Sequence, residues 1–198
     1  MACTSVTSGR NESCKDNVGG IKNIYIGSFD SQTWDDLVDE GYQADSILDS
    51  AELFNAITVY KYELKSDANT FEETNEVSNE NQTSFWTQTL TVSLKKQTAE
   101  SQELIIGMSK GQVVVVIEDY NGTYRAAGLY RGLDVQANTA TGGAMGDMNG
   151  YTLTFTGVSP YPAYFLDVSE DCHPVQQSVA DDNGDALFII NNTVIADN

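Results

Sequence analysis

Four residues of this chain, Cys3, Cys14, Cys172 and His173, carry the donor chemistry of a Cys₃His zinc site. Their spacing argues against one. Cys3 and Cys14 are too far apart for a knuckle, and two adjacent ligands hold one ion only with awkward backbone geometry. An odd number of cysteines also argues against a closed disulfide framework. Asp181, Asn183 and Asp185 open like a calcium loop. Gly184 stands at the fourth place instead of the sixth, however, and Asn192 stands where a bidentate glutamate is needed, so the segment reads as a turn. His173 is the only histidine, and no Gly-x-Ser-x-Gly accompanies it, so a Ser-His-Asp or Cys-His arrangement is not expected. Gly142-Gly143-Ala144-Met145-Gly146-Asp147-Met148-Asn149-Gly150 lacks the Lys-Ser/Thr of a phosphate loop. Its glycines point instead to flexibility or to close packing between subunits. Asn11, Asn81 and Asn121 begin Asn-x-Ser/Thr triplets, which without a signal peptide read as chance matches. The expectation is a protein without catalytic residues, metal or cofactor.

Charge narrows the partners. The 198 residues hold 29 acids against 10 Lys and Arg, a net charge of −19. No base lies between Lys22 and Lys61, and none follows Arg131 apart from His173. A basic nucleic-acid footprint is therefore missing. The plain reading of this surface is solubility and self-repulsion. A sharper one is a surface built to stand near DNA without holding it. The first residues, MACTSVTSGRNESC, have no apolar core of a signal peptide. The longest purely apolar run, Val113 to Ile117, is far too short to span a bilayer as a helix.

The elements that would position any site are mainly strands, as abundant Tyr, Phe, Thr and Val suggest. Tyr151, Leu153 and Phe155 alternate with Thr152, Thr154 and Thr156. Trp86, Leu90, Val92 and Leu94 alternate with Thr87, Thr89, Thr91 and Ser93. Because side chains in a strand point to opposite faces in turn, each segment has an apolar and a hydroxylated face. Further strands are expected over 21–29, 54–65, 112–119 and, at the end, 186–195. Asn121-Gly122 marks a hairpin whose return strand starts at Thr123. A short helix is expected around Trp34, Leu37 and Val38. A stronger one spans 98–109, with Thr98 as cap, Glu100 and Glu103 near its positive end, and an apolar stripe of Leu104, Ile105 and Met108. Residues 66–82, with Asp67, Glu72, Glu73, Glu76 and Glu80, read as a long acidic connection, and 138–150 as a flexible loop. The expected class is mainly β: a β-sandwich or barrel-forming subunit with one helix and a long acidic inter-strand loop. It divides into an arm (1–19), a sandwich domain (20–170) and a C-terminal extension (171–198).

This order of strand, acidic loop, strand, helix and hairpin, then a Gly-rich stretch leading into NGYTLTFTG and SPYPAYFL, resembles a tailed-phage major tail tube protein. The resemblance covers residues 20–170. It implies a subunit related to the inner tubes of contractile injection systems, forming hexameric rings that stack around a channel. It further implies that strands 54–65 and 83–96 make the lumen sheet, that Thr87, Thr89, Thr91 and Ser93 line the channel, and that 66–82 contacts the next ring. Partners would be copies of itself and other virion tail or connector proteins, with DNA passing unbound and no membrane. The protein would be made in the host bacterial cytoplasm and end in the virion tail. A head–tail connector or another virion ring shares these features, and the readings from other classes are a capsid-surface or adhesive, carbohydrate-binding β-sandwich and, ranked last, a small enzyme on a β-scaffold.

Overall fold

The computed structural model describes Lys15 and residues 17–31, 47–49, 59–65 and 68–167. Among these residues ten strands and one helix follow in chain order: β1 (Ile21–Ser28), β2 (Ile47–Asp49), β3 (Val59–Glu63), β4 (Thr70–Ser78), β5 (Thr83–Lys95), α1 (Ala99–Met108), β6 (Val113–Asp119), β7 (Tyr124–Ala127), β8 (Asp134–Ala140), β9 (Gly150–Ser159) and β10 (Tyr164–Asp167). They form a six-stranded sheet of order β2-β10-β7-β6-β1-β3 and a four-stranded sheet of order β4-β5-β9-β8. Pairing is antiparallel except for β2 beside β10. The fold is mainly β, as composition and alternation imply.

The two sheets share a core. Leu90 and Val92 of β5 and Leu153 and Phe155 of β9 meet Ile24 and Ile26 of β1 and Val115 and Ile117 of β6. Fully burying one such side chain contributes about 1.5–3 kcal/mol. The six-stranded sheet is buried on its other face too, where Tyr25, Val114, Val116 and Tyr124 form a second cluster. That is why Val113–Ile117 is an unbroken apolar run and not an alternating one. The β6–β7 hairpin turns at Asn121-Gly122, with Gly122 at φ +78°, a conformation that glycine adopts without a Cβ penalty.

Helix α1 begins as its sequence dictates. Thr98 Oγ1 accepts from the Ser101 N–H, and Glu100 lies in the first turn. Its apolar stripe is narrower than expected. Ile105 is buried and Met108 packs on the core, but Leu104 is 43% exposed.

Three expectations need correction. Residues 66–82 are not a loop over their length. Thr70–Ser78 is strand β4, paired with β5 from Thr70–Thr91 to Ser78–Thr83. Acids are poor strand formers alone, but cross-strand partners override that weak local preference. Residues 138–150 are likewise shorter as a loop, because β8 runs through Ala140 against β9. Strands 54–65 and 83–96 do not share a sheet: β3 borders β1 in one, and β5 lies in the other. The helix expected at Trp34, residues 54–58, most of the arm 1–19 and the extension 171–198, with the strand expected over 186–195, lie outside the described residues.

Candidate functional site

The outward face of the four-stranded sheet collects the hydroxyls. Because Leu90 and Val92 point to the core, Thr87, Thr89, Thr91 and Ser93 must point away from it. Register continues the pattern across strands. Thr70, Thr91, Thr154 and Gln136 form one row, and Glu72, Thr89, Thr156 and Asp134 form the next. Thr74, Thr87 and Val158 form a third. Neighbours in a row stand about 4.8 Å apart, and successive rows about 6.8 Å apart along a strand. Strands β4, β8 and β9 contain no Lys or Arg. Lys95, which ends β5, donates to the Lys65 carbonyl. The result is a plane of hydroxyls and carboxylates with no cation among its central rows.

The expected acids do not act as one group. Glu72 and Glu76 lie on this outer face, where the Thr87 hydroxyl donates to Glu76 Oε1 at 2.9 Å. Glu80 sits exposed in the turn between β4 and β5. Asp67 lies outside the described residues. Glu73 faces inward and is half-buried. Its Oε1 accepts from the Ala163 N–H at 2.6 Å and from Gln88 Nε2 at 3.2 Å.

Gln88 was not among the expected site residues. It is a buried amide within the apolar stripe of β5, and its Oε1 accepts from the Gly128 N–H at 3.0 Å. The signal was a polar residue at an inward position between Trp86 and Leu90. A second polar group closes the buried run of β6. Glu118 accepts from Lys22 Nζ and from Asn23 Nδ2 at 2.6 Å and Tyr25 OH at 3.0 Å. The register shifts between Ile21 and Asn23, leaving Lys22 as the extra residue of a bulge within reach of Glu118. Burial pushes the Glu118 carboxyl up, but these hydrogen bonds and the Lys22 charge outweigh it and hold it below the usual carboxylate range. Burial and the neighbouring carboxylate push the Tyr124 hydroxyl up to about 12.

Among the described residues the four-stranded sheet ends at β4 on one side and β8 on the other. Near the β8 edge, the loop 141–149 is ordered around Asp147, whose Oδ2 accepts from the N–H groups of Gly143 and Ala144, both at 2.8 Å. Those bonds lower the Asp147 carboxyl and leave Met145 fully exposed at the tip. Gly150, at the end of the loop, lies so close to β5 that a Cβ would meet the Leu94 carbonyl oxygen at 2.1 Å. Its close approach is therefore within the subunit. By the β4 edge, a cleft of about 300 Å³ is lined by Asn69, Phe71, Glu72, Asp119, Thr123 and Arg125, among others. The Arg125 guanidinium stacks over Phe165, 4.5 Å from the ring centre.

Among the described residues no group of His, Cys, Asp and Glu has metal-site geometry. Cys3, Cys14, Cys172, His173 and Asp181–Asp185 lie outside them. No helix of the described residues is long and apolar enough to cross a membrane. The chain matches no protein-family model, and no curated protein matches it significantly.

Proposed function

We propose that this protein is a virion structural subunit, a tail tube or tail ring protein whose copies assemble into hexameric rings around a channel for DNA. The observation that carries the reading is the outer face of the four-stranded sheet. Thr70, Thr89, Thr91, Thr154 and Thr156 pave it, with Glu72 and Asp134 at its borders. A channel wall that grips phosphates stalls DNA, because each Lys or Arg contact releases counterions and adds affinity. Hydroxyls and carboxylates let the polyanion slide. Strands β4 and β8 supply the means of closure: pairing β8 of one copy with β4 of the next continues the sheet around a ring and removes both exposed edges. The β4–β5 turn with Glu80 then reaches toward the next ring, while Glu72 and Glu76 face the channel with the threonines. A head–tail connector built from the same ring is the nearest variant of this reading.

An adhesive sandwich remains the second reading. The cleft beside β4, with Arg125, Asp119, Asn69 and Phe71, is what supports it. Electron microscopy of the purified protein at rising concentration separates the two. Six-membered rings or stacked tubes are expected. A monomer at every concentration that binds glycans on an array would replace the tube with the adhesin.

A further inference from the structure

The β6–β7 turn holds a dipeptide with its own chemistry. In Asn-Gly sequences the glycine nitrogen attacks the asparagine side-chain carbonyl, because no Cβ hinders the approach. The new N–Cγ bond closes a succinimide. The Cγ–Nδ2 bond breaks, and ammonia leaves with the proton given up by the glycine nitrogen. Water then opens the ring to aspartate or isoaspartate. Asn121 is exposed, so solvent reaches it.

The structure restrains both reacting partners. The Asn121 carboxamide is clasped by the backbone of Val18, ahead of β1. Asn121 Oδ1 accepts from the Val18 N–H at 2.8 Å, and Asn121 Nδ2 donates to the Val18 carbonyl at 2.7 Å. This pair copies the two-way hydrogen bonding of adjacent strands. The nucleophile is engaged as well, since the Gly122 N–H donates to the Asp119 carbonyl at 3.2 Å. Asp119 Oδ1 accepts from the Asn121 and Thr123 N–H groups at 2.9 and 2.8 Å, which fixes the turn around them.

We propose that Asn121 is a deamidation site gated by the chain segment at Val18. While Val18 is clasped, the carboxamide cannot rotate toward Gly122 N. When the clasp opens, the succinimide forms. The product keeps the clasp from re-forming, because a carboxylate has no hydrogen for the Val18 carbonyl and stands beside Asp119. The modification is therefore a one-way release of the segment leading into β1.

The test compares full-length protein with Val18→Pro, which removes the donating N–H, and with Val18→Ala, which keeps it. Each is aged in mildly alkaline buffer, and the tryptic peptide 111–125 is followed by mass spectrometry for replacement of the amide nitrogen by oxygen. Asn149-Gly150, at the start of β9 in the other sheet, is the internal reference, followed in a chymotryptic peptide that ends at Tyr151 and so excludes Asn183-Gly184. Val18→Pro is expected to speed conversion at Asn121 about fivefold, the worth of one hydrogen bond, with Val18→Ala and Asn149 unchanged. Equal rates in Val18→Pro and the parent protein would overturn the gate. Asn121→Asp supplies a readout independent of the proline variant. Hydrogen exchange at the Val18 amide should quicken in it, and unchanged protection there would equally sink the proposal.

Discussion

Gln88 and Glu73 stand directly opposite each other in the β4–β5 pair, and the amide donates to the carboxylate at 3.2 Å inside the sandwich. The same Gln88 accepts from Gly128 N–H, and the same Glu73 accepts from Ala163 N–H. Two side chains thus join the four-stranded sheet to the segments flanking β7 and β10.

Replacing Gln88 by Ala should therefore cost more than its size suggests. It leaves the buried Gly128 N–H without a partner, a loss of about 1–3 kcal/mol. Urea unfolding should show a lower midpoint at unchanged slope. A midpoint equal to the parent's would mean that water replaces the amide.

Glu118 should make the fold acid-sensitive. Its carboxyl lies below its ordinary value of 4.5 in the folded chain. Folding therefore favours the ionised form. The stabilisation is complete above that ordinary value and is lost as pH falls through the lowered one. Glu118→Gln should be less stable at neutral pH and flatter between neutrality and acid. The measurement is the urea midpoint across that range, and parallel curves for the two proteins would remove Glu118 from the account.

Deleting residues 68–80 should damage the fold. The deletion removes β4, takes Phe71 from the core edge and strips the hydrogen-bonded partner from Thr83–Thr91 of β5. Circular dichroism and thermal melting are expected to show loss of cooperative unfolding. A deletion protein that melts like the parent would restore a detachable acidic arm.

Thr89→Lys with Thr91→Lys tests the outer face. Both side chains point away from the core, so stability should change by no more than about 1 kcal/mol. On the proposed tail-tube reading, particles carrying the double variant should deliver DNA more slowly because the added cations hold phosphates. Leu90→Lys is the contrast: it buries an unpaired charge at a position 1% exposed and should abolish folding. Unaltered delivery by the double variant would remove this face from the channel.

Local patterns were enough for much of the fold. The alternation of Tyr151, Leu153 and Phe155 with threonines specified a strand and its inward face. Thr98 with a following acid specified the helix start, Asn121-Gly122 the hairpin, and Val113–Ile117 a strand covered on both sides. Each depends on residues a few positions apart, which is the range over which side-chain period and capping act. The outward set Thr87, Thr89, Thr91 and Ser93 follows from the same periodicity. Tertiary structure alone decided the rest. Strand β4 exists because β5 pairs with it, and its acids by themselves disfavour a strand. Leu104 is 43% exposed among the described residues, although its spacing matches a buried stripe. The roles of Gln88, Glu73 and Glu118 depend on Gly128, Ala163 and Lys22, which lie 40, 90 and 96 positions from their partners. A carboxylate reads the same in sequence whether it faces water or closes a buried network; the donors that the fold brings to it make the difference.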